Sequence, residues 1–148
     1  MQSYFKSMAP AWWTVAVALL VCVLVGSSTM ALRAQDKTAK DSVFSAAQAK
    51  RGEAIYQEQC SPCHSADLSG GGGPALAGGD FLGLWDKMPI DDLVTKIATS
   101  MPASSPGSLN RMQATDLAAF ILQTNKFPAG EADLASDEAT LKTIAIVK

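Results

Sequence analysis

The stretch Cys60-Ser61-Pro62-Cys63-His64 constrains this chain more than any other. Two thiols separated by two residues and followed at once by an imidazole form the Cys-x-x-Cys-His pattern of a c-type haem attachment site. Each thiol can add to one haem vinyl group, and the spacer sets the thiols about one helical turn apart. The adjoining imidazole then comes to lie under the iron. Five residues with three fixed letters recur by chance, so the context has to carry part of the weight. An apolar segment with the features of an export signal precedes the motif, and no other cysteine remains beyond that segment. Met101-Pro102 follows at a distance suited to a second axial ligand.

Other uses of the same cysteines fit less well. Of the 3 cysteines, Cys22 lies in the apolar N-terminal run, leaving only Cys60 and Cys63. A structural disulfide between them would close so short a loop that little chain entropy is removed. A thioredoxin-type dithiol belongs at a strand-to-helix junction in a βαβ pattern, and none is readable here. Zinc needs a further pair of soft ligands, whereas His64 is the only histidine.

The chain reads as four stretches. Residues 1–34 have the three parts of a secretory signal: a weakly basic start at Lys6, an apolar run from Ala11 to Gly26, and a small residue, Ala34, before a cut. The run is short for a membrane span, although Leu32 makes an imperfect cleavage site and Trp12-Trp13 would suit an anchor at a membrane interface. Cleavage is the favoured reading and an uncleaved anchor the alternative. Val21 ahead of Cys22 argues against lipidation. Residues 35–43 are polar, without periodicity, and read as a disordered linker. Residues 44–127 form the domain, and 128–148 a tail that packs back on it. Removing 1–34 takes away Lys6 and Arg33 but no acidic residue, so the net charge moves from −2 to −4. That balance excludes a nucleic-acid stripe and attraction to anionic lipid, and favours a partner with a positive patch.

The fold class expected is all-α. From Ser45 to Gln59, Ala49, Gly52, Ile55, Tyr56 and Gln59 share one helical face. Glycine at an inward helical position costs about 1 kcal/mol against alanine, so Gly52 marks a close approach. Gly70–Gly73 and Pro74 lack the Gly-Lys-Ser/Thr ending of a phosphate loop and read instead as a wrap around a flat cofactor edge. Phe81, Leu82, Leu84 and Trp85 form an apolar cluster. A second helix starts at Pro89, with Ile90, Leu93, Val94 and Ile97 inward and Asp91 and Asp92 at its positive end. It ends near Ser100, because a residue before proline avoids helix. Asn110 and Gln113 form a capping box for a third helix, whose inward stripe is Met112, Leu117, Phe120 and Ile121. The tail contributes Leu134, Leu141, Ile144 and Ile146, with a short helix from Ser136 to Thr143. No strand alternation is readable.

From about Lys50 to Leu122 the chain resembles the single-haem class I cytochromes c of bacteria. The resemblance rests on Gly52-x-x-x-Tyr56, Cys60-x-x-Cys63-His64, Gly73-Pro74-x-Leu76-x-Gly78, Trp85, Met101-Pro102 and Ala119-Phe120-Ile121-Leu122, in that order. It implies a small helical domain around one covalent haem c, with thioethers at Cys60 and Cys63 and His64 as the proximal ligand. It further implies that the Pro74 carbonyl accepts from the other ring nitrogen, that Gly52 and Tyr56 meet Phe120, and that Leu76, Trp85, Ile97 and Leu117 line the haem. Trp85 would turn its indole N–H to a propionate or simply pack. Met101 is the expected sixth ligand, because the family places its methionine after the second helix. Met88 lies before that helix and Met112 reads as core.

The function implied is one-electron transfer in the periplasm or at the outer face of the cytoplasmic membrane, with no substrate chemistry. Redox proteins are the expected partners: a dehydrogenase, a cytochrome complex or a terminal oxidase. A membrane-anchored subunit of such a complex is the alternative. A haem peroxidase or gas sensor is disfavoured, since the only histidine is committed to iron.

Overall fold

A computed structural model describes residues 37–148. The N-terminal stretch read as a signal or anchor, with Cys22, lies outside the described residues. Among those described, no helix is long and apolar enough to cross a membrane.

The elements in order are β1 (Lys37–Thr38), a 3-10 turn (Ala39–Asp41), α1 (Ala46–Gln59), α2 (Ser61–His64), α3 (Gly78–Trp85), α4 (Ile90–Ser100), α5 (Arg111–Thr124), α6 (Glu138–Leu141) and β2 (Ile144–Ala145). The fold is helical, and α1, α4 and α5 carry most of its packing. Ser45 caps α1 by accepting from the Gln48 amide at 3.0 Å. Asn110 caps α5, its Oδ1 accepting from the Gln113 amide at 3.0 Å while its own amide donates to Gln113 Oε1 at 3.0 Å. These bonds satisfy amides that a helix start otherwise leaves unpaired.

α1 crosses α5 at Gly52. A Cβ there would stand 1.9 Å from the Asp116 carbonyl oxygen, so only glycine permits this approach. One turn on, the Tyr56 and Phe120 rings pack tilted, 5.2 Å between centroids, within the range where aromatic pairs attract. Arg51 closes the rim with two hydrogen bonds to Asp116, at 3.0 and 3.1 Å. α4 lays its buried stripe of Ile90, Leu93, Val94 and Ile97 against α5. Beside it Asp91, itself buried, pairs with Arg111, whose Nε also donates to the Ser136 carbonyl at 2.7 Å. A buried carboxylate without such a partner would be costly.

Several expectations change. Residues 37–41, assigned to the disordered linker, form a capped turn with Ala39 fully buried. β1 pairs in parallel with β2, Lys37 opposite Ile144 and Thr38 opposite Ala145, where no strand was expected. The tail residues Leu134, Leu141, Ile144 and Ile146 are all buried, Ile144 within β2. Phe81 to Trp85 belong to a helix, α3, rather than an irregular cluster, and Leu84 is 68% exposed. Gln59 is exposed, and Gln48 takes an inward place instead. Its side chain exchanges two hydrogen bonds with the Leu134 backbone, at 3.0 and 2.7 Å. Met112, read as core, is 66% exposed. It precedes Ile121 by nine residues, about two and a half turns, which puts the two on opposite sides of α5.

Replacing Gly52 with alanine gains helix propensity but drives a methyl into the Asp116 carbonyl. We expect a net loss of about 1–3 kcal/mol in denaturant unfolding.

Acid should loosen the tail through Asp133. Hydrogen bonds from Ser45 and Arg51 hold its carboxyl below the ordinary 3.8. A carboxylate with a lowered folded-state pKa stabilises above its unfolded value and loses that contribution as pH falls through the folded value. The stability gap between wild type and Asp133→Asn, measured by urea unfolding, should therefore be present at pH 7 and shrink below pH 3.8.

Candidate haem site

The end of α1 delivers the motif. The Cys60 amide donates to the Tyr56 carbonyl at 2.9 Å, and a tight turn follows in which Cys63 and His64 donate to the Cys60 carbonyl at 3.1 and 2.9 Å. Cys60 and Cys63 thus stand one turn apart as free thiols, the first half-buried and the second exposed. Burial, with Cys63 beside it, pushes the Cys60 thiol up to about 11. A reactive dithiol needs a lowered thiol pKa, so the environment opposes the thioredoxin-like use that the spacing left open. Among the described residues, no group of three or more His, Cys, Asp or Glu side chains is placed to hold a metal ion.

The His64 ring is buried, and its Nδ1 lies 2.8 Å from the Pro74 carbonyl oxygen. A carbonyl only accepts, so Nδ1 carries the proton and Nε2 keeps its lone pair. The loop that brings Pro74 there is glycine-rich because the ring leaves no room. A Cβ on Gly73 would stand 2.7 Å from His64 Cε1. The Gly73 amide donates to the Cys63 carbonyl at 2.8 Å and Gly70 to the His64 carbonyl at 3.0 Å, so the loop folds back on the motif. Gly73 therefore serves the approach of backbone to imidazole, while Gly70, at φ 91, makes the turn of the loop against Ala75. Beneath them the buried Tyr56 hydroxyl donates to the Ser65 carbonyl at 2.6 Å, and burial pushes its phenol up to about 12.

The other predicted residues stand on separate elements. Leu76 is half-buried against the core, and Trp85, also half-buried, packs on Phe81 at 6.2 Å between centroids. Ile97 and Leu117 are core. Met101 is half-buried and ends α4, its amide donating to the Ile97 carbonyl at 3.1 Å. Met88 is tied instead to the tail, its carbonyl accepting from Ile146 at 2.9 Å. Hydrogen bonding joins His64 to Pro74 directly, ties the Leu76 backbone to Leu68 and Asn125, and holds the Met101 amide at the end of its own helix.

Asn125 is a site residue that the sequence did not disclose. From the end of α5 it donates to the carbonyls of Leu76 and Ile121, both at 2.9 Å, and accepts from the Gly78 amide at 2.9 Å. It fastens the far end of the imidazole loop to α5. The Asn110 capping box was legible because both partners lie within four residues. Asn125 and Leu76 are separated by 49 positions.

The donor types suit a c-type haem: two thiols one turn apart, a buried imidazole with Nδ1 committed to a carbonyl, and a soft thioether, Met101, at the end of α4. Cys60, Cys63, His64 and Met101 are the residues suited to hold it. A small helical fold with this motif defines a c-type cytochrome domain, which binds haem and transfers electrons.

The family model described as cytochrome C oxidase, cbb3-type, subunit III, matches residues 47–121, just over half of the chain. The chain belongs to that family. No curated protein and no solved structure matches it.

Asn125→Ala removes three hydrogen bonds, two of which close the loop. It should cost about 1–3 kcal/mol in urea unfolding and speed protease cleavage between residues 75 and 79.

Proposed function

We propose that the chain is an extracytoplasmic one-electron carrier holding one haem, attached through thioethers at Cys60 and Cys63, with His64 and Met101 as axial ligands. The observation that carries this reading is the buried His64 imidazole, held by the Pro74 carbonyl inside a Cys-x-x-Cys-His turn. The haem when bound supplies an iron that accepts and returns one electron. The chain's own residues set the conditions for it. His64 presents Nε2, and the carbonyl on Nδ1 fixes the tautomer and raises the ring's basicity. The Met101 thioether is soft and favours the ferrous state, which raises the reduction potential. Leu76 and Trp85 supply apolar wall. With no second histidine in the chain, nothing here points to a distal acid/base group for peroxide chemistry.

Within this function two modes of deployment differ. The family description names a subunit of an oxidase, and this favours work beside a terminal oxidase or cytochrome complex, tethered if residues 1–34 are retained. The class I resemblance and a cleaved leader correspond to a diffusing carrier instead. Dehydrogenases and cytochrome complexes are the partners suited to either mode.

A pyridine haemochrome spectrum with intact mass tests the core of the proposal. It should report one covalent haem per chain, and a mass beginning at Gln35 if the leader is cut. A colourless mature protein with both thiols titratable overturns it. Met101→Ala should keep the haem, lower the potential and open the iron to added ligands, whereas Cys63→Ala should reduce haem retention. An unchanged Met101→Ala spectrum would move the ligand to Met88.

A further inference from the structure

The residue following the motif has a backbone shape that its side chain does not favour. Ser65 sits at φ 65 and ψ 153, a region occupied essentially by glycine. A strained residue persists only where surrounding contacts over-determine it, and Ser65 is held at both its carbonyl and its hydroxyl. Its carbonyl accepts from the Tyr56 hydroxyl at 2.6 Å and from the Leu68 amide at 3.2 Å. Its hydroxyl donates to the Gly70 carbonyl. Gly70 in turn donates its amide to the His64 carbonyl at 3.0 Å, and three residues later the same loop places Gly73 and Pro74 on the imidazole. Gly70 is itself at φ 91, so the return of the loop depends on how its peptide is held.

We infer that Ser65 is a positioning residue for the iron ligand: its hydroxyl, braced from below by Tyr56, fixes the Gly70–Pro74 loop so that the Pro74 carbonyl stays on His64 Nδ1. This rests on the proposed haem ligation by His64, and extends it to a side chain that touches neither haem nor imidazole. Serine is kept at a glycine position because the hydroxyl is needed. Glycine would relieve the strain but release the loop. Loosening the acceptor on Nδ1 lowers the basicity of the ring, stabilises the ferric state less, and raises the potential.

Ser65→Gly separates this role from a structural one, since it removes strain and the hydroxyl together. The chain has one histidine, so ring-15N histidine labelling reports on His64 alone, with haem or without it. In the purified full-length product, reduced where haem is present, Ser65→Gly should unfold at equal or higher denaturant than wild type. Its Nδ1 proton should nevertheless exchange about tenfold faster, as for loss of one hydrogen bond, and its midpoint potential should rise. Ser65→Ala should show the same faster exchange with lower stability, and Tyr56→Phe a smaller change in the same direction. Wild-type exchange and potential in Ser65→Gly would overturn the inference. Absence of covalent haem with faster Nδ1 exchange would instead defeat the ligation proposal and leave the positioning role standing.

Discussion

The near-contact of two helix backbones at Gly52 sets the frame for everything else in this domain. With a 1.9 Å gap where a Cβ would be, α1 cannot slide or tilt along α5 without losing the fit against Asp116. The crossing fixes where α1 ends, and the end of α1 is where the functional motif begins. Tyr56 lies one turn beyond Gly52, with its ring on Phe120 and its hydroxyl reaching the backbone after His64. A single residue thus joins helix packing to the placement of the imidazole. The aromatic ring contributes burial and the hydroxyl contributes direction.

From that frame the loop over His64 is assembled by hydrogen bonds between main-chain groups rather than by side-chain packing. Gly71, Gly72 and Pro74 are exposed and Gly70 and Gly73 only half-buried, so apolar burial supplies little of what orders them. Their amides and carbonyls pair with Cys63, His64 and Ser65 at one end, and Asn125 holds the segment beyond Leu76 at the other. A loop of this kind is ordered as a unit, because each bond presupposes the geometry of the next. Its product is one strong feature at the imidazole, an oriented carbonyl on Nδ1. That bond decides which ring nitrogen carries the proton and which keeps its lone pair.

Local signals in the chain were readable and distant ones were not. The Cys-x-x-Cys-His spacing, the α4 stripe from Ile90 to Ile97, and the Asn110–Gln113 cap all lie within a few residues, where periodicity and capping chemistry apply directly. Gly52 was recognisable as a close approach from its inward position alone. Gln48 and Asn125 were missed, and the Arg111 partner of Asp91 was not foreseen, because a polar side chain held within the fold is explained only by its partner, and those partners lie far away in sequence. Met112 was misread because hydrophobicity was taken as a sign of burial. Two and a half turns separate it from Ile121, and that phase places it outside. α3 was overlooked since three glycines lower its propensity, and tertiary packing of Phe81 and Trp85 overrides that cost.

The family match ends at Ile121 and starts at Ala47, yet structure continues on both sides and the two flanks meet each other. β1 lies against β2, and the same tail segment hydrogen-bonds to Lys87 and Met88 on either side of the turn into α4. Lys40 reaches the Lys148 carbonyl, and the Lys148 amide donates to Asp86. These contacts form a belt whose members come from the two ends of the described chain and from the turn between α3 and α4. Closing such a belt costs chain entropy, which Leu134, Leu141, Ile144 and Ile146 offset by burial. The turn it restrains carries Met88 and follows Trp85. Met88 is therefore held by its backbone to the belt, whereas the Met101 amide is held by the last turn of α4, so the two methionine-proline pairs differ in attachment as well as in their position relative to that helix.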